Sequence, residues 1–105
     1  MTFKKHTDMI YVMDEYHMLF EFDPEKSRKN HEKHGITFDE AQALFANDPL
    51  RLPPLTVQGE ERSLVIGRIG ASYWTAIITV RKGAIRIITC RRSRDNERAL
   101  YDQKA

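Results

Sequence analysis

Between Arg81 and Arg98 the sequence carries seven basic residues, Arg81, Lys82, Arg86, Arg91, Arg92, Arg94 and Arg98, against two acidic ones, Asp95 and Glu97. That local excess exceeds the net charge of +2 of the whole chain. Arginine prevails over lysine there, and its planar fork binds phosphate bidentately where lysine offers a point charge, so a polyanion is the partner this stretch suits. The alternative is that arginines at strand ends, Arg62 and Arg68 included, are solvated charges that discourage edge-to-edge aggregation. Glu97 and Tyr101 stand four residues apart, one helical turn, with Arg94 and Arg98 beside them. A carboxylate and a phenol among guanidiniums fit RNA cleavage. A base takes the ribose 2′-OH proton, arginines stabilise the charge developing on phosphorus, and an acid protonates the leaving 5′ oxygen, with no metal or cofactor required. The plainer reading is a surface ion-pair ladder with Tyr101 packed on a sheet.

His31 and His34 raise zinc, but two histidines without a third ligand at a recognisable spacing make a poor metal site. His34 before Gly35 reads as a helix C-terminal residue whose cation suits the dipole, with acid–base work as the functional alternative. Cys90, the only cysteine, reads as a small core residue. Tyr73 and Trp74 could stack a base, although mid-sheet aromatics belong more often to a core.

These groups need elements to hold them. A short strand over Leu19–Phe22 leads to Asp23-Pro24, an N-cap with proline at the first helical position, and a helix over Pro24–His34 that stops at Gly35. That helix contains no aliphatic or aromatic residue. Its inner face, with Ser27, Asn30, His31 and His34, is polar, so it meets hydrogen-bond partners or a ligand. Thr37-Phe38-Asp39-Glu40 forms a capping box for a second helix with Phe38, Ala41, Leu44 and Phe45 as its apolar stripe. Asp48-Pro49 ends it, and Pro53-Pro54 and Gly59 mark a loop. Strands over Arg62–Ile69, Tyr73–Val80 and Ile85–Cys90, separated by turns at Gly70 and Gly83, predict an antiparallel meander. Alternation places Arg62, Leu64, Ile66 and Arg68 on one face of the first of these. In the last it groups Arg86, Ile88, Cys90 and Arg92, opposite Ile85, Ile87, Thr89 and Arg91. Ser93 can cap a final helix from Arg94 to about Gln103.

A chain of 105 residues, 41% hydrophobic and 30% charged, builds one domain and one modest core. No apolar run approaches the roughly 18 residues of a membrane span. A lone cysteine and the lack of an export signal at the start point to a reducing, cytoplasmic compartment. All four methionines fall within the first 18 residues. Met18 reads as a possible true start, so residues 1–17 read as an N-terminal extension, not native to the domain, and residues 18–105 as the domain itself.

Phe22-Asp23-Pro24 with Lys26, Asn30, Lys33-His34-Gly35, Phe38-Asp39-Glu40-Ala41, Gly59-Glu60-Glu61-Arg62, Ile85-Arg86-Ile87-Ile88, Arg91-Arg92, and Glu97-Arg98 with Tyr101 together resemble the BrnT toxins of bacterial type II toxin–antitoxin pairs. The resemblance runs from about Leu19 to Asp102. It implies an α+β, RelE-like fold, a small antiparallel sheet with two N-terminal helices and one C-terminal helix, and a ribonuclease activity that halts growth. It also implies a cognate BrnA-like ribbon-helix-helix antitoxin that contacts operator DNA, in a dimer of toxin–antitoxin pairs. Carried over residue by residue, the family's Glu-Arg pair falls on Glu61 and Arg62, its arginine after the last strand on Arg91, and its final-helix Glu and Tyr on Glu97 and Tyr101.

The expected site therefore has Arg62, Arg86 and Arg91 on the scissile phosphate, Glu97 or Glu61 as base and Tyr101 or His34 as acid. Lys26, Arg92, Arg94 and Arg98 hold RNA farther out. This demands that guanidiniums from separate strands converge with the last helix on one phosphate-sized pocket. The competing expectation is a non-catalytic module that binds nucleic acid or antitoxin and serves only as corepressor, since phosphate contacts alone give strong, unspecific binding.

Overall fold

A computed structural model describes residues 9–14 and 17–104. The elements run β1 (Ile10–Met13), β2 (Leu19–Phe22), α1 (Pro24–His34), α2 (Phe38–Ala41), α3 (Ala43–Ala46), β3 (Leu50–Arg51), β4 (Leu55–Val57), β5 (Glu60–Ile69), β6 (Ser72–Arg81), β7 (Ala84–Arg92) and α4 (Asp95–Gln103). The strands form one sheet in the order β1-β2-β7-β6-β5-β3, with β4 also paired to β5. The class is α+β, but the sheet is mixed and not antiparallel throughout: β2 runs parallel to β7, Phe20 opposite Ile85 and Glu21 opposite Arg86. A chain that leaves β2 into α1 and returns through β5 and β6 can lay β7 beside β2 in the same sense.

Two expected elements change. The second helix breaks at Gln42 into the four-residue α2 and α3, and the loop after it contributes β3 and β4 to the edge of β5. Residues 10–13 of the expected N-terminal extension form an edge strand, with Ile10 opposite Phe22. Residues 1–8 and 15–16 of that segment lie outside the described residues.

The core lies on one side of the sheet, where Phe20, Phe22, Phe38, Leu44, Val65, Ile78, Ile87 and Cys90 are buried. Burying each large apolar side chain stabilises the fold by about 1.5–3 kcal/mol. Phe22 meets Phe38 edge to face at 5.9 Å and Phe20 meets Phe45 at 5.1 Å, so the rings join β2 to α2 and α3. Gly67 lets α3 approach: a Cβ there would sit 3.0 Å from Leu44 Cδ2.

Helix α1 starts at the Asp23 carboxylate, which accepts from Glu25 N–H, and ends at Gly35 with φ 83°. Lacking apolar residues, it docks through polar ones. The buried Ser27 hydroxyl accepts from Phe38 N–H at 2.8 Å. The Asn30 amide donates to the carbonyls of Ile36 and Cys90 at 2.8 and 2.9 Å and accepts from Cys90 N–H and the Thr89 hydroxyl. Asn30 thus serves β7 as a substitute strand neighbour beyond the point where β2 stops pairing.

Candidate functional site

The expected alternation along β7 fails at one residue. Ile77 lies opposite Thr89 and Ile78 opposite Ile87, so Ile88 is an extra residue, a β-bulge, and every side chain before it changes face relative to those after it. Ile87 and Cys90, three apart, are therefore both buried in the core. Arg86, opposite Thr79, and Arg91, opposite Thr75, share the other face, and Arg92 points away from Arg91 as expected. Arg62 reaches the same open face because its neighbour Ser63 lies opposite the core residue Ile78.

Across that face run two basic rows. Arg62, Thr79, Arg86 and Glu21 lie side by side on adjacent strands, and Ile66, Thr75 and Arg91 form the second row. Thr75 and Thr79 are four residues apart, about 13 Å along a strand. Arg62 and Arg86 consequently do not join Arg91 in one phosphate-sized pocket. Half-buried Leu64, Ile77 and Thr89 lie between the rows.

Helix α4 covers the second row and brings Glu97 onto it. Glu97 is 4% exposed and accepts four hydrogen bonds: Arg91 Nη1 at 2.8 Å, Arg91 Nη2 at 2.9 Å, the Thr75 hydroxyl at 2.9 Å and Arg94 N–H at 2.8 Å. The last of these caps α4 in place of Ser93, whose hydroxyl instead lies 2.8 Å from that of Thr75. The Arg91 guanidinium, aided by Arg94 N–H and Thr75, holds the Glu97 carboxyl down to about 2 against the opposing effect of burial. The same pairing raises Arg91. A carboxylate so stabilised is a weak proton acceptor, so its environment fits an anchor for Arg91 and not a base.

Arg91 has five N–H donors. Nη1 serves Glu97 and the Arg92 carbonyl, and Nη2 gives one hydrogen to Glu97. The second Nη2–H and the Nε–H lie side by side on one guanidinium edge and have no acceptor among the described residues. From behind, Asn30 fixes the backbone of Cys90, the preceding residue. Sequence reasoning placed Asn30 on a polar helix face without identifying β7 as its partner, because the two are 60 residues apart.

The remaining candidates separate. Arg62 pairs with Glu60 at 3.3 Å, not Glu61, and Glu60 also binds Arg81 at 2.6 Å. The two-residue strand period that sets Glu60 beside Arg62 was the available signal. Glu61 is exposed and alternates to the opposite face. Arg86 pairs with Glu21 at 3.0 Å. The Tyr101 ring packs on Tyr73 at 5.9 Å and its hydroxyl lies 3.5 Å from the Asp48 carbonyl. His34 sits half-buried in the last turn of α1 and makes no side-chain hydrogen bond to this face among the described residues. His31 and Lys26 are exposed on α1, Arg94 at the start of α4. Arg92 lies over Trp74 and Arg98 over Tyr73. The Cys90 thiol, pushed up to about 12 by burial, belongs to the core as expected. No helix among the described residues is long and apolar enough to cross a membrane.

A family model described as the ribonuclease toxin BrnT of type II toxin–antitoxin systems matches residues 22–97, well over half of the chain. Comparison with curated proteins gives no match.

Proposed function

The chain belongs to the BrnT family of ribonuclease toxins of type II toxin–antitoxin systems, and on that premise we propose that it is a metal-independent endoribonuclease that cuts RNA on the open face of its sheet. The observation that carries this reading is the unused edge of Arg91. With Glu97 occupying the end of the guanidinium, the free Nε–H and Nη2–H form a parallel fork suited to two phosphate oxygens.

In this mechanism the 2′ oxygen attacks phosphorus, the P–O5′ bond breaks, and the products are a 2′,3′-cyclic phosphate and a 5′-hydroxyl. Arg91 stabilises the negative charge that grows on the non-bridging oxygens, and because Glu97 has already fixed its orientation, little reorganisation opposes the step. The 2′-OH proton passes to solvent water, and the leaving 5′ oxygen gains a proton from a donor that solvent recharges. Tyr101, one turn beyond Glu97, supplies it, since its 3.5 Å contact with the Asp48 carbonyl is too long to engage the hydroxyl firmly. Glu97 is a positioning residue. Arg62 and Arg86, farther along the strands, grip a neighbouring part of the RNA. Read as RelE-like, the fold presents this face to RNA until a BrnA-like ribbon-helix-helix antitoxin neutralises it. Operator DNA is then reached only through the antitoxin, in a dimer of toxin–antitoxin pairs, and growth stops when the antitoxin is lost.

The test is incubation of the protein with RNA in EDTA, with Arg91→Ala and Arg91→Lys beside the parent. The parent cuts and leaves 5′-hydroxyl ends, and Arg91→Ala loses about 100-fold or more in rate. Arg91→Lys does not restore it, because a point charge lacks the fork. Cutting that chelator abolishes, 5′-phosphate ends, or full activity in Arg91→Ala refutes the mechanism. A parent that neither cuts RNA nor slows growth when expressed alone supports the corepressor reading, which the existing pairing of Arg62 and Arg86 to carboxylates favours.

A further inference from the structure

Where β6 begins and β7 ends, a cavity of about 280 Å³ opens between Ala71, Ser72, Tyr73, Arg92, Ser93 and Arg98. Unlike Arg62, Arg86 and Arg91, its two arginines have no carboxylate partner among the described residues. Each lies instead over an aromatic ring, Arg92 at 4.8 Å from the Trp74 centroid and Arg98 at 4.9 Å from that of Tyr73. A guanidinium carbon over a ring leaves the N–H donors that do not point at that ring for a ligand. Among the described residues no acidic one lines the cavity, and a carboxylate bound to a lining residue, that of Asp102, accepts from the Tyr73 hydroxyl at 2.7 Å.

The two serines differ. Thr75 gives its single hydroxyl proton to Glu97, so it must accept from Ser93, and Ser93 presents only lone pairs to anything else. The Ser72 hydroxyl makes no hydrogen bond among the described residues and is free to donate. An oxyanion entering the cavity thus meets two ring-backed guanidiniums and one hydroxyl. The ring-anchored forks match the tetrahedral oxygens of a phosphate. The space equals about nine water molecules at liquid density, enough for a phosphate and an adjoining sugar, whose hydroxyl would find the Ser93 lone pairs. Through Ser93, Thr75 and Glu97 the cavity wall is hydrogen-bonded to Arg91.

We propose that this cavity is a phosphate subsite, which holds a phosphodiester of RNA next to the one that Arg91 engages. The proposal rests on the ribonuclease reading above for the identity of the polymer, but the anion site stands on its own geometry.

Trp74 is the only tryptophan and is covered by Arg92, so its fluorescence reports occupancy. Inorganic phosphate is titrated into the full chain at constant ionic strength, with chloride as control, followed by an oligoribonucleotide and kinetic measurements. Phosphate gives a saturable change that chloride does not. The exposed Arg98→Gln weakens phosphate binding about tenfold and raises KM for RNA by a similar factor with kcat little changed. Arg92→Lys, which keeps the charge but loses the fork, behaves like Arg98→Gln, while Lys82→Gln matches the parent. A response equal for chloride, no saturation, or undiminished phosphate binding in Arg98→Gln overturns the site. Phosphate binding with an unchanged KM in Arg98→Gln marks a free-anion site and overturns the RNA subsite. Phosphate binding by a parent that cuts no RNA refutes the ribonuclease reading and leaves the anion site standing.

Discussion

Replacing Glu97 by glutamine removes one charge and almost no volume, so its consequences are electrostatic. In the parent, the carboxyl is held at about 2 against an ordinary 4.5, a difference worth about 3 kcal/mol of stability at neutral pH. Because the folded value is the lower one, this contribution is complete above the unfolded value and disappears as pH falls from about 4.5 through about 2. Roughly half survives at pH 3. Glutamine also turns an amide NH₂ toward Arg91, whose side chain is only 17% exposed, and an unpaired cation in such a place costs about 3–5 kcal/mol. Both routes put Glu97→Gln about 3 kcal/mol below the parent at pH 7, a large share of the 5–15 kcal/mol that holds a small domain together. Urea unfolding of the two proteins at several pH values measures this: the gap is full at pH 7 and narrows steadily below pH 4.5. A gap under 1 kcal/mol at pH 7, or one of constant size down to pH 2.5, would refute the reasoning.

Two further outcomes follow from the ground behind Arg91. Asn30→Ala strips partners from Cys90 N–H and from the carbonyls of Cys90 and Ile36; it lowers stability by about 2–4 kcal/mol, seen as a lower urea midpoint with an unchanged slope. Cys90, buried and with its thiol near 12, is alkylated at pH 8 only when the chain opens. Its labelling rate therefore rises with urea in step with unfolding, and rapid labelling of the native protein would contradict the burial.

Local signals in the sequence located what depends on neighbours. The Asp23-Pro24 start and Gly35 stop of α1 have short-range chemical causes, and so do the β5–β6 and β6–β7 hairpins and the divergence of Arg91 from Arg92. What needed distant residues was hidden. The parallel pairing of β2 with β7 joins Glu21 to Arg86, and no property of either segment specifies the direction. The bulge at Ile88 is silent in an Ile-Ile-Thr run that alternates equally well without it, yet it decides which face Arg86 occupies. The polar face of α1 announced hydrogen bonds without naming the strand that receives them. At the site, Glu97 and Arg91 stood out as candidates by residue type and position, but the setting of Glu97 did not: its burial and its four donors, which weaken a carboxylate as a base, arise only when α4 folds back over Thr75.

Asn30 also governs how other molecules can meet the sheet. A strand rim whose N–H and C=O are spoken for cannot zip onto an extended peptide, and the Cys90 stretch of β7 is closed in this way by one amide. Among the described residues the sheet ends on β1 at one flank and on β3 with β4 at the other, so a foreign segment that lengthens it joins there, away from the interior strand that carries Arg91.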